Sequence, residues 1–484
     1  MKTKLMLTFG IYAFCLAGAR AQQSKNELVL CFDRQVKPLL SSPISLAYEE
    51  KLSQLEHNAV PWQATEYTGR GSLGYGNDFF YKQDTLRIRD KVFYSLTNFN
   101  ALGYQFRDYG DKQNSVVTYR MKEEFPVTAA RYAPVLLLQH LAKAAKINEA
   151  AGNKFYAVYT GEIGRYRVSL FIGKVKHTLD SIQVRYYDGL YGDLTDVYHY
   201  SDYRQFGTLS YPARVTISKN NKRLQDTVFL TRKEKIPVAP QELYSPEGYK
   251  LTEEQAVKTE VNVTRYSDHI YFAELKHTDD RSMIVVFKDF VLVAEAPLNS
   301  ENGDLIINEA RKIAPGLPIR YFVFGHHHPH YIGGIRSFVH AGASILTVPE
   351  NLSYVQSLIT AQHSLNPDKL QLEAKPLKTL LIKDSLRIAD SSFALNIYHI
   401  GKQSMHTDDY LIYYFPSEKM LFQDDLVWIP TDGAQRKASP RQRGLYSAIK
   451  NLGLDIEVIV QSWPVNNEGV MTIIPFKVLE DRSK

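Results

Sequence analysis

The sequence has 484 residues, of which 44% are hydrophobic, and a chain of this length suggests two or three domains with substantial cores. Its formal charge of +6 falls to +3 without residues 1–21, which carry Lys2, Lys4 and Arg20 and no acid. That charge is too mild to indicate a nucleic-acid partner or binding to a polyanionic surface.

The N-terminus has the pattern of a signal peptide. Two lysines precede a mostly apolar run over residues 5–17, and Ala19-Arg20-Ala21 is a small-x-small cleavage site. The apolar run is too short to remain as a membrane-spanning helix, and no later stretch reaches that length. We therefore predict that residues 1–21 are a cleaved signal peptide, that the chain is exported to the periplasm or the extracellular space, and that the mature chain has no integral membrane segment.

The cysteine content restricts both the fold and the metal chemistry. Removal of residues 1–21 takes away Cys15 and leaves Cys31 alone, so no internal disulfide can form. Hydrophobic cores must then stabilise the fold, and any metal ligands must be nitrogen and oxygen atoms.

Residues 22–240 are predicted to form a β-rich N-terminal domain, in which a curved antiparallel sheet carries a helix. Apolar residues recur at three- and four-residue spacing within 130–151, which predicts a helix there. Closely spaced strand patterns follow, with turn signals such as Asn220-Asn221 between the last two. The predicted strands are 154–162, 165–173, 181–187, 196–200, 213–219 and 223–230.

A change in pattern predicts a second domain over 257–484. Residues 233–256 contain three prolines and many charges, and we predict a linker at 241–256. Short strands and helices alternate after it, which indicates α/β organisation. The first of these predicted elements are strands at 270–275, 283–287 and 290–295 and a helix at 305–313.

A histidine cluster lies at residues 324–334, which read Phe-Gly-His-His-His-Pro-His-Tyr-Ile-Gly-Gly. The cluster stands between a strand-like run and a glycine pair, and imidazole is the commonest protein ligand of transition metals. His326, His328 and His330 alternate, so an extended segment would present two or three of them to one ion and turn His327 away, unless the loop bends. The cluster therefore predicts a metal site at the end of a sheet. If only this histidine run is considered, the alternative is a solvated loop that binds metal adventitiously.

Further metal ligands must come from distant segments, because zinc needs three or four. His406 precedes a strand pattern at 410–415, and Asp425 follows the apolar run 420–423. Taken alone, each would more often be a helix cap or a hydrogen-bonded loop residue. Their shared position at strand ends makes both of them candidate ligands.

These segments together resemble the metallo-β-lactamase fold superfamily. The family's first motif, His-x-His-x-Asp-His-x-Gly-Gly, is similar to residues 326–334, and its second, a histidine in a Gly-His-Thr-x-Asp-like turn, is similar to 406–409. The third, Leu-Phe-x-Gly-Asp, resembles Leu-Phe-Gln-Asp-Asp at 421–425. The resemblance covers about 257–484 and implies an αββα sandwich in that part of the chain.

The resemblance also implies which metal site is present. It implies one zinc ion at the family's first metal site, held by four side chains: His326, His328, His406 and Asp425. The positions of the second metal site have changed, since His330 replaces its aspartate, Tyr331 replaces its histidine, and no histidine follows the strand pattern at 456–460. We therefore expect a single zinc, with the second site lost or altered and His330 available as an additional ligand.

Two functions remain open from the sequence. The first is an exported hydrolase, in which a zinc-activated water attacks an ester, amide or phosphoester-type substrate. In it Asp425 would ligate or orient that water, His330 would act as general base, and Tyr331 would donate a hydrogen bond to a developing oxyanion. Tyr331 is equally consistent with a packed aromatic. The second is an inactive protein of the same fold that binds a small-molecule, glycan or lipid-like ligand outside the cytoplasm.

Overall fold

A computed structural model describes 26–40, 43–55, 57–77, 79–88, 91–101, 103–108, 113–116, 119–143, 147–219, 222–230, 250–253, 258–433 and 437–484. The predicted signal peptide and most of the predicted linker lie outside these residues. Among the described residues, no helix is long and apolar enough to cross a membrane.

The chain divides into two compact units. The first contains Met1–Gln54, Thr65–Tyr186 and Leu194–Gln255, and the second contains Leu55–Ala64, Tyr187–Asp193 and Ala256–Lys484. The sequence pattern predicts one boundary and does not reveal that two short early segments belong to the second unit. Such membership depends on long-range contacts, which leave no trace in local periodicity.

The first unit is built on one 14-stranded sheet with the order β14-β6-β5-β4-β3-β2-β1-β13-β12-β11-β10-β9-β8-β7. The described strand pairs are antiparallel, except that β14 runs parallel to β6. The strands are β1 Ile44–Gln54, β2 Thr65–Tyr75, β3 Phe80–Ile88, β4 Lys91–Asn100, β5 Gly103–Asp108, β6 Gln113–Val116, β7 Asn148–Ala150, β8 Tyr156–Ile163, β9 Tyr166–Gly173, β10 Leu179–Asp188, β11 Gly192–Phe206, β12 Leu209–Lys219, β13 Lys222–Leu230 and β14 Lys250–Glu253. The helices are α1 Glu27–Gln35, α2 Tyr119–Ala129 and α3 Pro134–Lys143.

The predicted antiparallel sheet with a helix is confirmed for this unit, and the differences concern element bounds. Helix α3 is shorter than the predicted 130–151, because the chain turns into strand β7 after it. Strand β11 is much longer than the predicted 196–200. Strand β14 lies inside the predicted linker, where pairing with β6 could not be read from composition.

The second unit contains two mixed sheets. The seven-stranded sheet has the order β15-β16-β17-β18-β19-β20-β21, and the six-stranded sheet has the order β22-β23-β24-β25-β26-β27. The strands are β15 Val261–Arg265, β16 Ile270–Leu275, β17 Asp280–Val286, β18 Val291–Ala294, β19 Ile319–Val323, β20 Ser344–Thr347, β21 Lys378–Leu381, β22 Ser385–Ala389, β23 Ala394–His399, β24 Leu411–Phe415, β25 Met420–Gln423, β26 Val458–Gln461 and β27 Ile473–Pro475. The helices are α4 Ser300–Ile313, α5 Pro329–Ile332, α6 Ile335–His340, α7 Leu352–Thr360, α8 Lys369–Leu372, α9 Pro440–Asn451 and α10 Phe476–Ser483.

The hydrophobic cores show how these elements are layered. The inner faces of the two sheets share one core, to which β16, β17 and β18 contribute from one sheet and β23, β24 and β25 from the other. Helices α4, α6 and α7 cover the outer face of the first sheet, and α9 and α10 cover that of the second. This is the αββα sandwich that the resemblance implies for 257–484.

The sandwich brings several strand ends to one edge. The histidine cluster follows β19, and His406 precedes β24, whose first N–H, on Leu411, donates to the carbonyl of Gly325 at 2.7 Å. Asp424 and Asp425 follow β25, and Ser462 follows the neighbouring strand β26. Segments far apart in sequence therefore meet at this edge.

A buried ion pair holds the helices on the outer face of the first sheet. Arg336 of α6 makes a bidentate contact with Asp368, at 2.6 and 2.9 Å, and both side chains are buried. Arg336 also donates to the carbonyls of Leu358 and Ile359 at the end of α7, and Asp368 caps the first turn of α8. The pair thus joins three helices.

We predict that Arg336→Ala lowers the free energy of unfolding by about 3–5 kcal/mol, because it leaves a buried carboxylate without its partner. Urea denaturation at neutral pH measures this loss. Lys312→Ala, which removes an exposed partner of Glu309, is the control and should change stability by less than about 0.5 kcal/mol. A loss at Arg336 no larger than that of the control would contradict the assignment.

The same pair predicts a dependence on pH. Burial opposes ionisation of Asp368, yet Arg336 and the hydrogen bonds to its carboxylate lower its pKa from 3.8 to about 2. A lowered folded-state pKa contributes stability that is present above about pH 4 and is lost as the pH falls towards 2. Denaturation curves between pH 5 and 2 should therefore show a smaller loss for Asp368→Asn than for the unchanged chain.

Candidate metal centre

Three histidines converge at the sheet edge. One ring nitrogen from each of His326, His328 and His406 lies within 4.8 Å of the others. The first two are buried in the turn after β19, and the third follows the short 3₁₀ turn Gly401–Ser404. The hydroxyl of Ser404 accepts the backbone N–H of His406 at 3.1 Å and so fixes the end of this turn. The structure therefore brings together three of the predicted ligands.

Hydrogen bonds assign a tautomer to two of these rings. Nε2 of His328 lies 3.1 Å from the carbonyl oxygen of Asn58, which can only accept, so Nε2 carries the proton and Nδ1 a lone pair. Nδ1 of His326 lies 2.7 Å from Oδ2 of Asp424. We assign the ring proton of His326 to Nδ1, which leaves a lone pair on Nε2. The two nitrogens with lone pairs, Nε2 of His326 and Nδ1 of His328, are 3.0 Å apart.

This arrangement fits a metal ion. Two lone pairs that face each other at 3.0 Å repel unless a cation is shared between them. Tetrahedral zinc with bonds of about 2.0–2.1 Å holds its nitrogen ligands about 3.3 Å apart, which is close to the separation of these two nitrogens. Nε2 of His406 is buried and has no hydrogen-bond partner among the described residues, although Oδ2 of Asp425 lies 3.1 Å away outside hydrogen-bond geometry. A third nitrogen is thus available to the same ion.

The protonation state of the histidines also suits a metal. Burial, reinforced by the neighbouring imidazoles, lowers the pKa of His326 well below its usual value and that of His328 to about 3. Both rings are therefore neutral at ordinary pH, which is the form that binds a metal.

Asp425 lies beside the histidine group. Burial opposes its ionisation, but His406 and Arg441 lower its pKa below the usual value. Its Oδ1 accepts from the Tyr410 hydroxyl at 3.3 Å, and its Oδ2 accepts from Nη1 of Arg441 at 3.3 Å. An ionised carboxylate next to His406 is available as a fourth ligand, which stays a prediction.

The other predicted residues are neighbours of the three convergent histidines and are not part of that group. Nδ1 of His330 lies 3.0 Å from a carboxylate oxygen of Asp280, and although burial opposes protonation, that carboxylate raises the pKa of His330. Tyr331 is buried with its ring centroid 4.4 Å from that of His326, and burial raises the pKa of its hydroxyl well above 10. His327 turns away as predicted, with its backbone N–H donating to Asp409 at 2.8 Å. The structure thus gives His330 an acidic partner and gives Tyr331 the environment of a packed aromatic.

Sequence reasoning missed the carboxyl pair behind His326. Asp424 fits only because Gly325 lacks a side chain, since a Cβ there would lie 2.1 Å from Oδ2 of Asp424. Glu295 stands behind it and accepts from the Tyr413 hydroxyl at 2.8 Å and from the N–H of Gly325 at 3.0 Å. Burial raises the pKa of Glu295 to about 8. Burial and the nearby charge of Glu295 together raise the pKa of Asp424 well above its usual value. Two buried carboxyl groups placed this close together oppose each other's ionisation.

A short early segment also contributes to the centre, and no periodicity in the sequence indicates it. The carbonyl of Asn58 orients His328, and that of Ala59 accepts the N–H of Asp408 at 2.8 Å, two residues after His406. The ring of His57 lies 5.0 Å from that of His328, and His57 has a left-handed backbone with φ of 60°. Such a conformation is costly for a residue other than glycine, and it is often found at functional sites.

Solved metallo-β-lactamases are similar to this chain in fold. A metallo-β-lactamase from Pontibacter korlensis is 15% identical, with a TM-score of 0.34, and the match covers 46% of this chain and 97% of that one. FIM-1 from Pseudomonas aeruginosa, in its mono-zinc form, is 18% identical with a TM-score of 0.34 over 46% and 93% of the two chains. A metallo-β-lactamase from Hirschia baltica is 14% identical with a TM-score of 0.33 over 47% and 97%.

No protein-family model matches the sequence, and no curated protein matches it significantly. At these identities and TM-scores the likeness to solved structures concerns the fold alone, so the chemistry of the centre rests on its own geometry. The layer order of the sandwich and the strand ends that carry the three motifs agree with the predicted fold.

We predict that His406→Ala abolishes tight metal binding, because it removes one of three convergent nitrogens. Tyr331→Phe should keep nearly all of the metal, because the Tyr331 hydroxyl is not an available ligand. Elemental analysis of protein purified without a histidine tag measures both. Two tightly bound ions per chain, or loss of the metal in Tyr331→Phe, would show that the wrong residues have been assigned as metal ligands.

We predict that Asp424→Ala weakens metal binding about 10–100-fold, because groups that orient a ligating imidazole contribute that much in metal sites. Competition with a chromophoric chelator measures the affinity. Asp408→Ala is the control on the His406 turn, since its carboxylate contacts only the exposed Lys402 among the described side chains. Equal affinities for the two variants would refute a role of Asp424 in the centre.

Proposed function

We propose that this chain is a metal-dependent hydrolase with one divalent ion, zinc by the chemistry of its ligands. His326, His328 and His406 would hold the ion, and Asp425 would ligate it or orient a water. The observation that carries the proposal is the convergence of three imidazole nitrogens within 4.8 Å of one another, two of them only 3.0 Å apart. Nitrogen and oxygen ligands at a neutral, buried site favour zinc over harder ions such as magnesium.

A zinc ion bound there supplies Lewis acidity and lowers the pKa of a water molecule towards about 7. Residues of the chain would accept the proton that the attacking water releases. Asp280 holds the proton of His330 on Nδ1, so Nε2 of His330 is the atom that can accept a proton from the attacking water. The guanidinium of Arg441, 3.3 Å from Asp425, can stabilise negative charge that develops on the substrate. An ester, amide or phosphoester suits this set of groups.

We also propose that the chain acts outside the cytoplasm, on the evidence of the signal-peptide pattern in residues 1–21. The Asp280–His330 pair supports catalysis over the alternative of an inactive binding protein. A carboxylate that orients an imidazole beside a metal site is an arrangement found in general bases.

We predict that removal of zinc with a chelator abolishes hydrolysis of a model ester and that added zinc restores it. His330→Gln should lower kcat about 100-fold or more at unchanged metal content, because general-base catalysis contributes about 10²–10⁴-fold. His340→Gln, which alters a histidine of α6 paired with Glu373, is the control and should keep kcat. A fully loaded protein that hydrolyses no ester, amide or phosphodiester would favour the binding protein.

A further inference from the structure

We propose that the substrate carries an oxyanion and a flat apolar group, bound by a rim that consists of Met405, Trp428, Arg441 and Trp463. This inference rests on the proposed function and names the substrate class of the same site. Three features of the rim carry it: the placement of tryptophan, the exposure of apolar side chains, and a guanidinium with unused hydrogen-bond donors.

All three tryptophans of the chain lie near the histidine cluster. The ring of Trp463 is 6.0 Å from that of His330, and the ring of Trp428 is 5.1 Å from that of Trp463. On another side, Trp62 packs edge-on against Tyr354 at 5.1 Å, and the Tyr354 ring is 6.0 Å from that of His327. Trp463 also packs against the core on the outer face of the first sheet, and the tryptophans offer large flat surfaces for a ligand.

Two large apolar side chains of the rim are exposed to solvent. Trp428 is 41% exposed, and Met405, directly before His406, is 61% exposed. Met405 also has a left-handed backbone with φ of 57°, which is unfavourable for its side chain. Exposed methionine and tryptophan next to a polar centre are typical of ligand binding.

A positive charge with unused hydrogen-bond donors lies beside these apolar groups. Arg441 contacts Asp425 through Nη1 at 3.3 Å, its only hydrogen bond to another described residue, and its side chain is 41% exposed. A guanidinium has five N–H donors, so most of them remain for a ligand. The next residue, Gln442, donates to the carbonyl of Trp428 at 2.7 Å and keeps the start of α9 beside that tryptophan.

The charges around the centre favour an anion over a cation. Three nearby carboxyl groups contact a cationic or imidazole group: Asp280 contacts His330, Asp424 contacts His326, and Asp425 lies beside both His406 and Arg441. Arg441 is the charged group with unused donors, and guanidinium matches the planar geometry of carboxylate and phosphate oxygens. The substrate would thus place an oxyanion on Arg441 and a flat apolar group on Trp428 and Trp463.

The tryptophans supply the readout of the test. Intrinsic fluorescence of the full-length, zinc-loaded protein is titrated with four probes: phenylacetate, phenylphosphate, phenylacetamide and acetate. We expect an anionic aromatic probe to bind at least tenfold more tightly than both the neutral aromatic phenylacetamide and the small anion acetate. The stronger of phenylacetate and phenylphosphate identifies the oxyanion as carboxylate or phosphate.

Variants separate the rim from the metal. Arg441→Gln should reduce the affinity for the anionic aromatic probe about tenfold or more, because loss of one hydrogen bond to a charged group weakens binding by about that factor. Arg443→Gln, an exposed arginine on the same helix, should leave it unchanged. Trp428→Leu should weaken binding of all three aromatic probes and leave binding of acetate unaffected.

Equal binding of phenylacetamide, binding of no aromatic anion, or equal effects of the two arginine variants would overturn this inference. Zinc content and hydrolysis of a neutral ester are measured on the same preparations. If the zinc is present and the ester is hydrolysed without any preference for anions, the proposed function stands and the substrate class is wrong. If neither zinc nor hydrolysis is found, the proposed function itself fails.

Discussion

Two buried imidazole nitrogens that lie 3.0 Å apart, with the ring protons assigned to the far sides of both rings, are the constraint on which the rest of the centre depends. The carboxyl of Asp424 and the carbonyl of Asn58 hold the protons on the far sides of the two rings. Burial keeps both rings neutral, so neither can relieve the repulsion by taking up a proton. A shared cation stabilises this geometry, and a ring nitrogen of His406 lies within 4.8 Å of the other two.

The sandwich explains why such a constraint can be maintained. The cluster follows one strand of the first sheet, and His406 and Asp425 adjoin strands of the second, so the ligands are fixed by two hydrophobic layers rather than by a mobile loop. A core of large apolar side chains lies between the sheets and has little freedom to relax. Displacing either sheet edge would separate the ligands, which couples metal binding to the integrity of the fold.

The predictable part of the centre is the part that lies on strand ends. His326, His328, His406 and Asp425 each adjoin an apolar run, and a run with its flanking polar residues is visible in local pattern. The groups that orient them were not predictable in this way. Asn58 lies 270 residues from His328, and Asp280 lies 50 residues from His330, and contacts over such separations leave no periodicity. Asp424 lay inside a motif, but only the absent side chain of Gly325 reveals its role.

X-ray absorption at the zinc edge can show whether three imidazoles and an oxygen ligand surround one ion. The full-length protein, loaded with one equivalent of zinc, should show three imidazole nitrogens and oxygen scattering at about 2.0–2.1 Å, with no sulfur. In His406→Ala the imidazole signal should fall or the zinc should be absent. A first shell with fewer than three imidazoles in the unchanged protein, or one unaffected by His406→Ala, would contradict the account.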